Sequence, residues 1–469
     1  MELLDQIRAD LGAKYVITGT DAEAWTQDWM NVYHWQPLAV VRPASTQQVQ
    51  SIARSCHAAG IAMVPVGGNT GLTGATKAQD AVMISLDRMN AIREIKPNAQ
   101  VAIVESGAIL DSIHQAVDAH NLVFPLFFGA RGSAMIGGNL STNAGGSNVL
   151  RYGNTRDLCL GLEVVLADGR VMNLMSELHK DNTGLNLKHI LIGAEGTLGI
   201  ITTAVLRLYR KPLAYVTAMV GLQTLEDSIP LLNRLQNETG GGVEAFEYMP
   251  RRYIERHMDK IDGAMEPFDN AHDVNILVEV ATTRTSDLEQ DDTGTPKLQA
   301  ILETALMDMI EAGSAQDAVI AQNEAQRRVM WERRESAAEI TVGVAGSIDT
   351  DVAVPLDDVP TFLQQVSERV QAIDPDGQEF YIAHLGDGNL HYTFYPSDTS
   401  GVFKEPITEA IEDIVSALNG SFSAEHGIGL SKRNSMARRK DPVALEMMQA
   451  VKSAFDPKNL MNPGKVYPD

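Results

Sequence analysis

Residues 61–74 read IAMVPVGGNTGLTG, an apolar run suited to a buried strand that passes directly into a glycine-rich loop. A glycine at a strand end lets the backbone take positive φ and turn its N–H groups toward a phosphate without a side chain in the way. Two more clusters follow, GSAMIGGNLSTNAGGSNVLRYG (132–153) and GAEGTLGI (193–200). Any one of the three reads as well as a tight turn. Together they describe a pyrophosphate cradle, to which Asn69, Thr70, Ser133, Asn139, Thr142 and Asn143 add small polar groups suited to a ribose and a ring edge. Neither a GxGxxG opening a helix nor a GxxxxGKS/T loop occurs, which disfavours a Rossmann NAD enzyme and a P-loop ATPase.

Around this loop the chain is 469 residues long, enough for two or three domains and a sizeable pocket. Hydrophobic residues at 44% and charged residues at 21% fit a soluble globular enzyme. The net charge of −23 is spread along the chain and argues against nucleic acid or anionic lipid as a partner. No apolar run reaches the roughly 18 residues that a transmembrane segment needs, and MELLDQIRADLGAKY reads as an amphipathic helix rather than an export signal. Only Cys56 and Cys159 occur, without a CxxC, which excludes a disulfide framework and a thiolate zinc site and fits a cytoplasmic protein.

Working outward, the helix STQQVQSIARSCHAAG opens on Ser45 as its N-cap, and short strands such as AVMISL, AIREIK and QVAIVESG punctuate the region up to about residue 200. From about Leu213, YVTAMVGL, VEAFEYM and VNILVEV are strand-like and 224–238 and 296–312 helical, the pattern of an α+β domain with an antiparallel sheet. The polar run 283–295 is expected to be a mobile surface loop.

PVGGNTGLTG, IGGNLSTNAGG, GAEGTLGI, HLGDGNLH, AEHGIG and the terminal LMNPGK, in this order, closely resemble the flavoproteins of the vanillyl-alcohol oxidase and p-cresol methylhydroxylase superfamily, in the D-2-hydroxyacid dehydrogenase branch that holds D-2-hydroxyglutarate and D-lactate dehydrogenases. The resemblance implies an α+β fold with a two-subdomain p-cresol methylhydroxylase-type FAD-binding domain (1–212), an antiparallel-sheet cap or substrate domain (213–420) and a C-terminal segment (421–469) returning to the FAD domain. It implies that Gly67, Gly68, Asn69, Thr70 and Gly71 form the pyrophosphate loop, closed by Gly74. Gly132, Ser133, Gly137, Gly138, Asn139, Thr142 and Gly145 would line the isoalloxazine and ribityl chain, and Glu195, Gly196 and Ile200 the adenosine end. Members with covalent flavin commonly carry histidine where this chain has Asn69, so FAD is expected to be noncovalent.

The stretch AHLGDGNLHY (383–392) places two histidines around a GDGN turn. With Asp387-Gly388 at the hairpin centre, His384 is expected directly opposite His391, close enough on one face to share a metal ion. SAEHGIG supplies Glu425 as a third ligand, and the resemblance points to the same triplet. Imidazole and carboxylate ligands suit Zn²⁺, with Mn²⁺, Fe²⁺ or Co²⁺ as alternatives. His426 points away from Glu425 in extended backbone and is assigned as the base. His57, His114 and His257 lie in helical polar patterns and carry no such role. The expected reaction is FAD-dependent, metal-assisted oxidation of a D-2-hydroxy acid to the 2-oxo acid, by hydride transfer to flavin N5, with His426 taking the hydroxyl proton.

The family also implies substrate contacts at Arg334 and Asn389. It departs at a lysine expected near Asp349-Thr350-Asp351 and at a threonine replaced by Ala338. A carboxylate at Asp349 would repel a second substrate carboxylate, unless Asp349 faces solvent and another cation such as Arg333 substitutes. Electron-transfer flavoprotein, a quinone or a cytochrome is the expected acceptor, and a homo-oligomer is left open. Two rival readings are an oxidase using O2 and a His/His/Glu zinc hydrolase, which would need no glycine loops.

Overall fold

The computed structural model describes residues 2–341 and 344–468; residues 342 and 343, inside the stretch expected to contact substrate, lie outside them. The chain divides into two compact units, one of Met1–Gly145, Gly153–Arg210 and Glu425–Asp469, the other of Gly146–Tyr152 and Lys211–Ala424. The excursion of residues 146–152 into the second unit was not anticipated from sequence.

The first unit holds two main sheets. In one, Ala39–Val41, Val82–Ser85 and Met63–Val66 run parallel, with Val16–Ile17 added antiparallel at the edge. Their apolar runs are buried because helices cover them: Ile7, Leu11, Val49, Ile52 and Cys56 pack with Met63, Val82 and Ile84 in one core. Ser45 caps the helix Thr46–Ala59 by accepting the Gln48 amide, as its sequence predicts. The tail closes this core: Met63 N–H donates to the Leu460 carbonyl and Asn462 N–H to the Met63 carbonyl, while Leu460 and Met461 are buried. The other sheet is a five-stranded antiparallel array in the order Ile92–Lys96, Val101–Glu105, Ile200–Arg207, Cys159–Val165 and Val171–Leu174. Cys56 and Cys159 are free and buried, and burial pushes both thiols up to about 12, far from a reactive thiolate.

The second unit is built on a seven-stranded antiparallel sheet, in the order Ala315–Ile320, Ala214–Leu222, Val274–Thr282, Val243–Pro250, Gln378–His384, Asn389–Tyr395 and Ile348–Ala353. Strand side chains alternate between faces, and the two faces have different cores. Ile276, Val278, Phe246, Tyr248, Leu390, Tyr392, Ile348 and Val352 join helices Ser228–Thr239, Lys297–Ala312, Val359–Ile373 and Lys404–Ala417. Leu277, Met249, Phe380 and Ile382 face the other way, against Tyr253, Ile254 and Met330. Glu247, His384, Asn389, His391 and Asp351 belong to this second face by the same alternation. The run 283–295 contains a helical turn, Thr285–Leu288, anchored by the buried Asp287, which accepts from Thr282 and Arg284. Among the described residues, no helix is long and apolar enough to cross a membrane.

Candidate active site

The first glycine loop is shaped by close backbone approach. A Cβ on Gly68 would stand 2.0 Å from the Ser133 carbonyl oxygen, and one on Gly67 3.3 Å from Met135 Cβ, so the loop lies directly on the second cluster. Gly137 is equally constrained, 2.7 Å from Ser106 Cβ. Beyond these contacts Gly71, Gly132 and Gly138 face open space, where an added Cβ would meet nothing. Two buried polar atoms nearby in the chain's fold have no partner, Asn139 Oδ1 and Ser106 Oγ. Buried polar groups are nearly always satisfied, and an acceptor and a hydroxyl left over beside glycines that leave room fit the polar edge of a flavin. Ser106 was missed in the sequence because a single serine at a strand end carries no signal.

Asn69 takes a left-handed conformation, φ 53°. Its side chain donates to the Gln27 carbonyl at 3.0 Å and accepts from Thr76 at 2.7 Å, so it shapes the loop. Thr142 Oγ1 donates back into its helix to the Gly138 carbonyl. Gly145 is buried, Gly74 has φ +70° and Ile200 sits fully buried in the core. Glu195 is buried, with both carboxylate oxygens occupied by the amides of Ile428 and Gly429. Gly196, at φ +72°, abuts Pro65.

In the second unit the register of the histidine hairpin differs from expectation. His391 lies opposite Ile382, and His384 opposite Asn389. The turn Leu385–Gly388 is four residues long, so the hairpin centre falls one residue earlier than Asp387-Gly388 would place it. The histidines are therefore diagonal neighbours, still on one face, with ring centroids 5.3 Å apart. Gly388 is fixed by φ +78° and by the Val354 carbonyl, which a Cβ would approach to 2.2 Å.

Two acids on flanking strands complete the row. Glu247 lies opposite His384, and its carboxylate is 2.9 Å from His384 Nδ1. Arg334, on the helix Glu324–Glu335, donates from Nε to Glu247 at 2.7 Å. Burial would raise the Glu247 carboxyl, but the adjacent His384 and Arg334 outweigh it and hold it below the ordinary carboxylate range. On the other side Asp351 lies opposite His391, with Oδ1 3.9 Å from Nδ1. Asn389 donates from Nδ2 to Asp351 at 2.9 Å and to the Val352 carbonyl at 3.0 Å. The segment after the last helix of this unit runs back along the same strand: Ser421 and Ala353 exchange backbone hydrogen bonds, and the Ala424 amide donates to the Asp351 carbonyl. Glu425 and His426 come next in the chain. Within this unit Asp351 and His391 offer ligand atoms within 4.8 Å of each other, and in the other unit the adjacent Glu425 and His426 do the same. His384 is in neither pair, and Asp351 is a candidate that sequence analysis did not assign, because its role depends on a strand register that only the fold supplies. Glu425 and His426 lie in a bend rather than in extended backbone, so the expectation that they point apart does not hold: their ligand atoms come within 4.8 Å.

Asp349 is exposed, its carboxylate accepting from Ser347 at 2.9 Å and Thr393 at 2.7 Å. Arg333 is buried and donates to the Met265 carbonyl. Ala338 lies in the short helix Ala337–Thr341.

Residues 211–466 match the family described as FAD linked oxidases, C-terminal domain, and residues 37–175 match the FAD binding domain. The chain is 33% identical over 472 residues to a D-2-hydroxyglutarate dehydrogenase of Stutzerimonas stutzeri, covering 99% of this chain and 98% of that protein. It is 32% identical over 461 residues to the mitochondrial D-2-hydroxyglutarate dehydrogenase of Arabidopsis thaliana, covering 98% and 80%. A D-2-hydroxyglutarate–pyruvate transhydrogenase of Saccharomyces cerevisiae is 31% identical over 450 residues, covering 94% and 89%. Among solved structures, p-cresol methylhydroxylase with substrate bound superposes with a TM-score of 0.74 at 17% identity, over 100% of this chain and 96% of the other. Alkyldihydroxyacetonephosphate synthase gives 0.71 at 16%, over 98% and 84%. At such identities these two likenesses speak to the fold alone.

Proposed function

The chain belongs to the FAD-linked oxidase family, in its FAD-dependent 2-hydroxyacid dehydrogenase branch, and from that premise we propose that it oxidises a D-2-hydroxy acid to the 2-oxo acid with a divalent metal holding the substrate hydroxyl. The observation that carries this reading is the polar row Asp351, His391, His384 and Glu247 on one face of the sheet, with Arg334 beside it.

The loops of Gly67, Gly68, Thr70, Gly71 and Gly74 and of Gly132, Ser133, Gly137, Gly138 and Asn139 would hold FAD, which supplies the hydride acceptor at N5 of its ring. His391, His384 and Glu425 would hold the metal, with Asp351 completing the oxygen and nitrogen set. Zn²⁺ suits these donors best, and a metal there lowers the pKa of a bound hydroxyl. Glu247 can accept the Nδ1–H of His384 and so leave Nε2 for the metal, the arrangement that orients ligating imidazoles. Asn389 acts through Asp351, which it orients by its hydrogen bond. Arg334 offers its charge to the substrate carboxylate while Glu247 keeps the guanidinium in place. His426 takes the proton from the substrate hydroxyl. Electrons then pass to a carrier such as electron-transfer flavoprotein, a quinone or a cytochrome.

The test is the visible spectrum of the purified protein under anaerobic conditions, titrated with D- and L-2-hydroxy acids, D-2-hydroxyglutarate and D-lactate first, before and after EDTA. The expected result is a flavin band near ~450 nm that a D-acid bleaches and that chelation protects. A colourless protein would end the proposal, and bleaching indifferent to chelation would remove the metal from it.

A further inference from the structure

Glu195 is the third residue of GAEG (193–196), in the connection between the helix Lys188–Leu191 and the strand Ile200–Arg207, and it is 5% exposed. Its oxygens do not face a void. Oε1 accepts the Ile428 amide at 2.7 Å and Oε2 the Gly429 amide at 2.8 Å. Gly427 at φ +80° and Gly429 at φ +49° turn those amides toward one point, and a Cβ on Gly427 would stand 2.8 Å from Oε1. Successive backbone amides aimed at one anion form a nest, here filled by the chain's own carboxylate. The backbone of Glu195 is held just as firmly: its amide donates to the Ser141 carbonyl at 2.8 Å, and its carbonyl accepts Asn462 Nδ2 at 2.8 Å. Ser141 belongs to the helix Ile136–Thr142, which carries Gly137, Gly138 and Asn139 of the cofactor cradle. Gly427 directly follows His426.

We propose that Glu195 is a positioning residue that sets His426 against the cofactor cradle, an inference that rests on His426 being the base of the proposed reaction. One residue joins the helix of the cradle, through its backbone amide, to the turn that starts immediately after the base, through its carboxylate. The assignment replaces the contact with the adenosine end implied by family resemblance, because both carboxylate oxygens are already occupied within the protein.

Two substitutions approach the contact from opposite sides. Glu195→Gln keeps the shape but turns one acceptor into a donor facing an N–H, and Gly427→Ala pushes a methyl against Oε1. In both, the rate of anaerobic flavin bleaching by a saturating D-2-hydroxy acid should fall about 10–100-fold, the scale on which small misplacement of a reacting group is felt. Substrate half-saturation and flavin content should stay within about twofold of the unaltered protein, because neither binding site is touched. Ready loss of FAD from Glu195→Gln, with an unchanged bleaching rate in the molecules that retain it, would overturn the proposal in favour of the adenosine contact. A lowered melting temperature with unchanged bleaching would reduce Glu195 to a structural tie. If no D-2-hydroxy acid bleaches the unaltered protein, the proposed reaction itself fails; if the unaltered protein bleaches and both variants match it, only the role of Glu195 does.

Discussion

Asp351 and His391 are directly opposed on adjacent antiparallel strands, with Oδ1 and Nδ1 3.9 Å apart. That spacing is too long for a hydrogen bond and suits two groups that face a common centre. Asn389, itself buried, holds Asp351 by its side chain.

A divalent metal should therefore depend on both residues. His391→Ala and Asp351→Asn are each expected to weaken its binding by about 10–100-fold, as measured by metal titration of the stripped protein. Unaltered affinity in both variants would take the pair out of the ligand set.

The buried Arg334–Glu247 pair predicts asymmetric stability effects. Arg334→Met leaves an uncompensated carboxylate beside His384 and should cost about 3–5 kcal/mol in urea unfolding, whereas the double variant Arg334→Met/Glu247→Gln should recover much of that loss. Equal losses in the single and double variants would mean that the guanidinium matters for packing and not for charge.

Glu247 also sets an acid dependence. Its carboxyl is held below its ordinary value of 4.5 by His384 and Arg334, against the pull of burial. The folded state thus binds that proton less readily than the unfolded chain, so the stabilisation is present above the unfolded value and is lost as pH falls through the folded one. Urea midpoints followed from about pH 7 to about pH 3 should drop more steeply for the unaltered protein than for Glu247→Gln; parallel curves would contradict the pairing.

Gly138 and Gly68 separate cofactor space from packing. A Cβ on Gly138 meets nothing and lies within a helix, so Gly138→Ala should fold at least as stably, gaining up to about 1 kcal/mol, while holding FAD more weakly. Gly68→Ala collides with the Ser133 carbonyl and should lose both stability and flavin. Flavin content and melting temperature, read together, check this; undiminished FAD binding by Gly138→Ala would mean that the open space is not the cofactor's.

Noncovalent attachment is expected because Asn69 offers no ring nitrogen and is bonded to Gln27 and Thr76. Heat or acid denaturation should release all the flavin into the supernatant. Flavin remaining on the precipitated chain would show a covalent link elsewhere.

The glycine clusters, the strand-to-loop transition at residues 63–74, the cap on Ser45 and the alternation of the later strands were legible in the linear sequence, because turns, caps and strand faces follow from neighbours a few residues apart. The pair His384 and His391 was also visible, and their common face with it. Their register was not: the hairpin turn closes one residue away from the symmetric choice, and that shift is set by Gly386 bonding to Phe246 and Gly388 lying under Val354, residues far apart in the chain. For the same reason Asp351, Glu247 and Ser106 escaped notice, and Glu195 was given to the cofactor instead of to the amides of Ile428 and Gly429. Sequence by itself determined which chemical groups this protein carries and which local shapes they adopt. Only the tertiary structure decided which of those groups meet, since strand pairing and buried polar contacts are chosen by the burial of whole faces rather than by any short stretch.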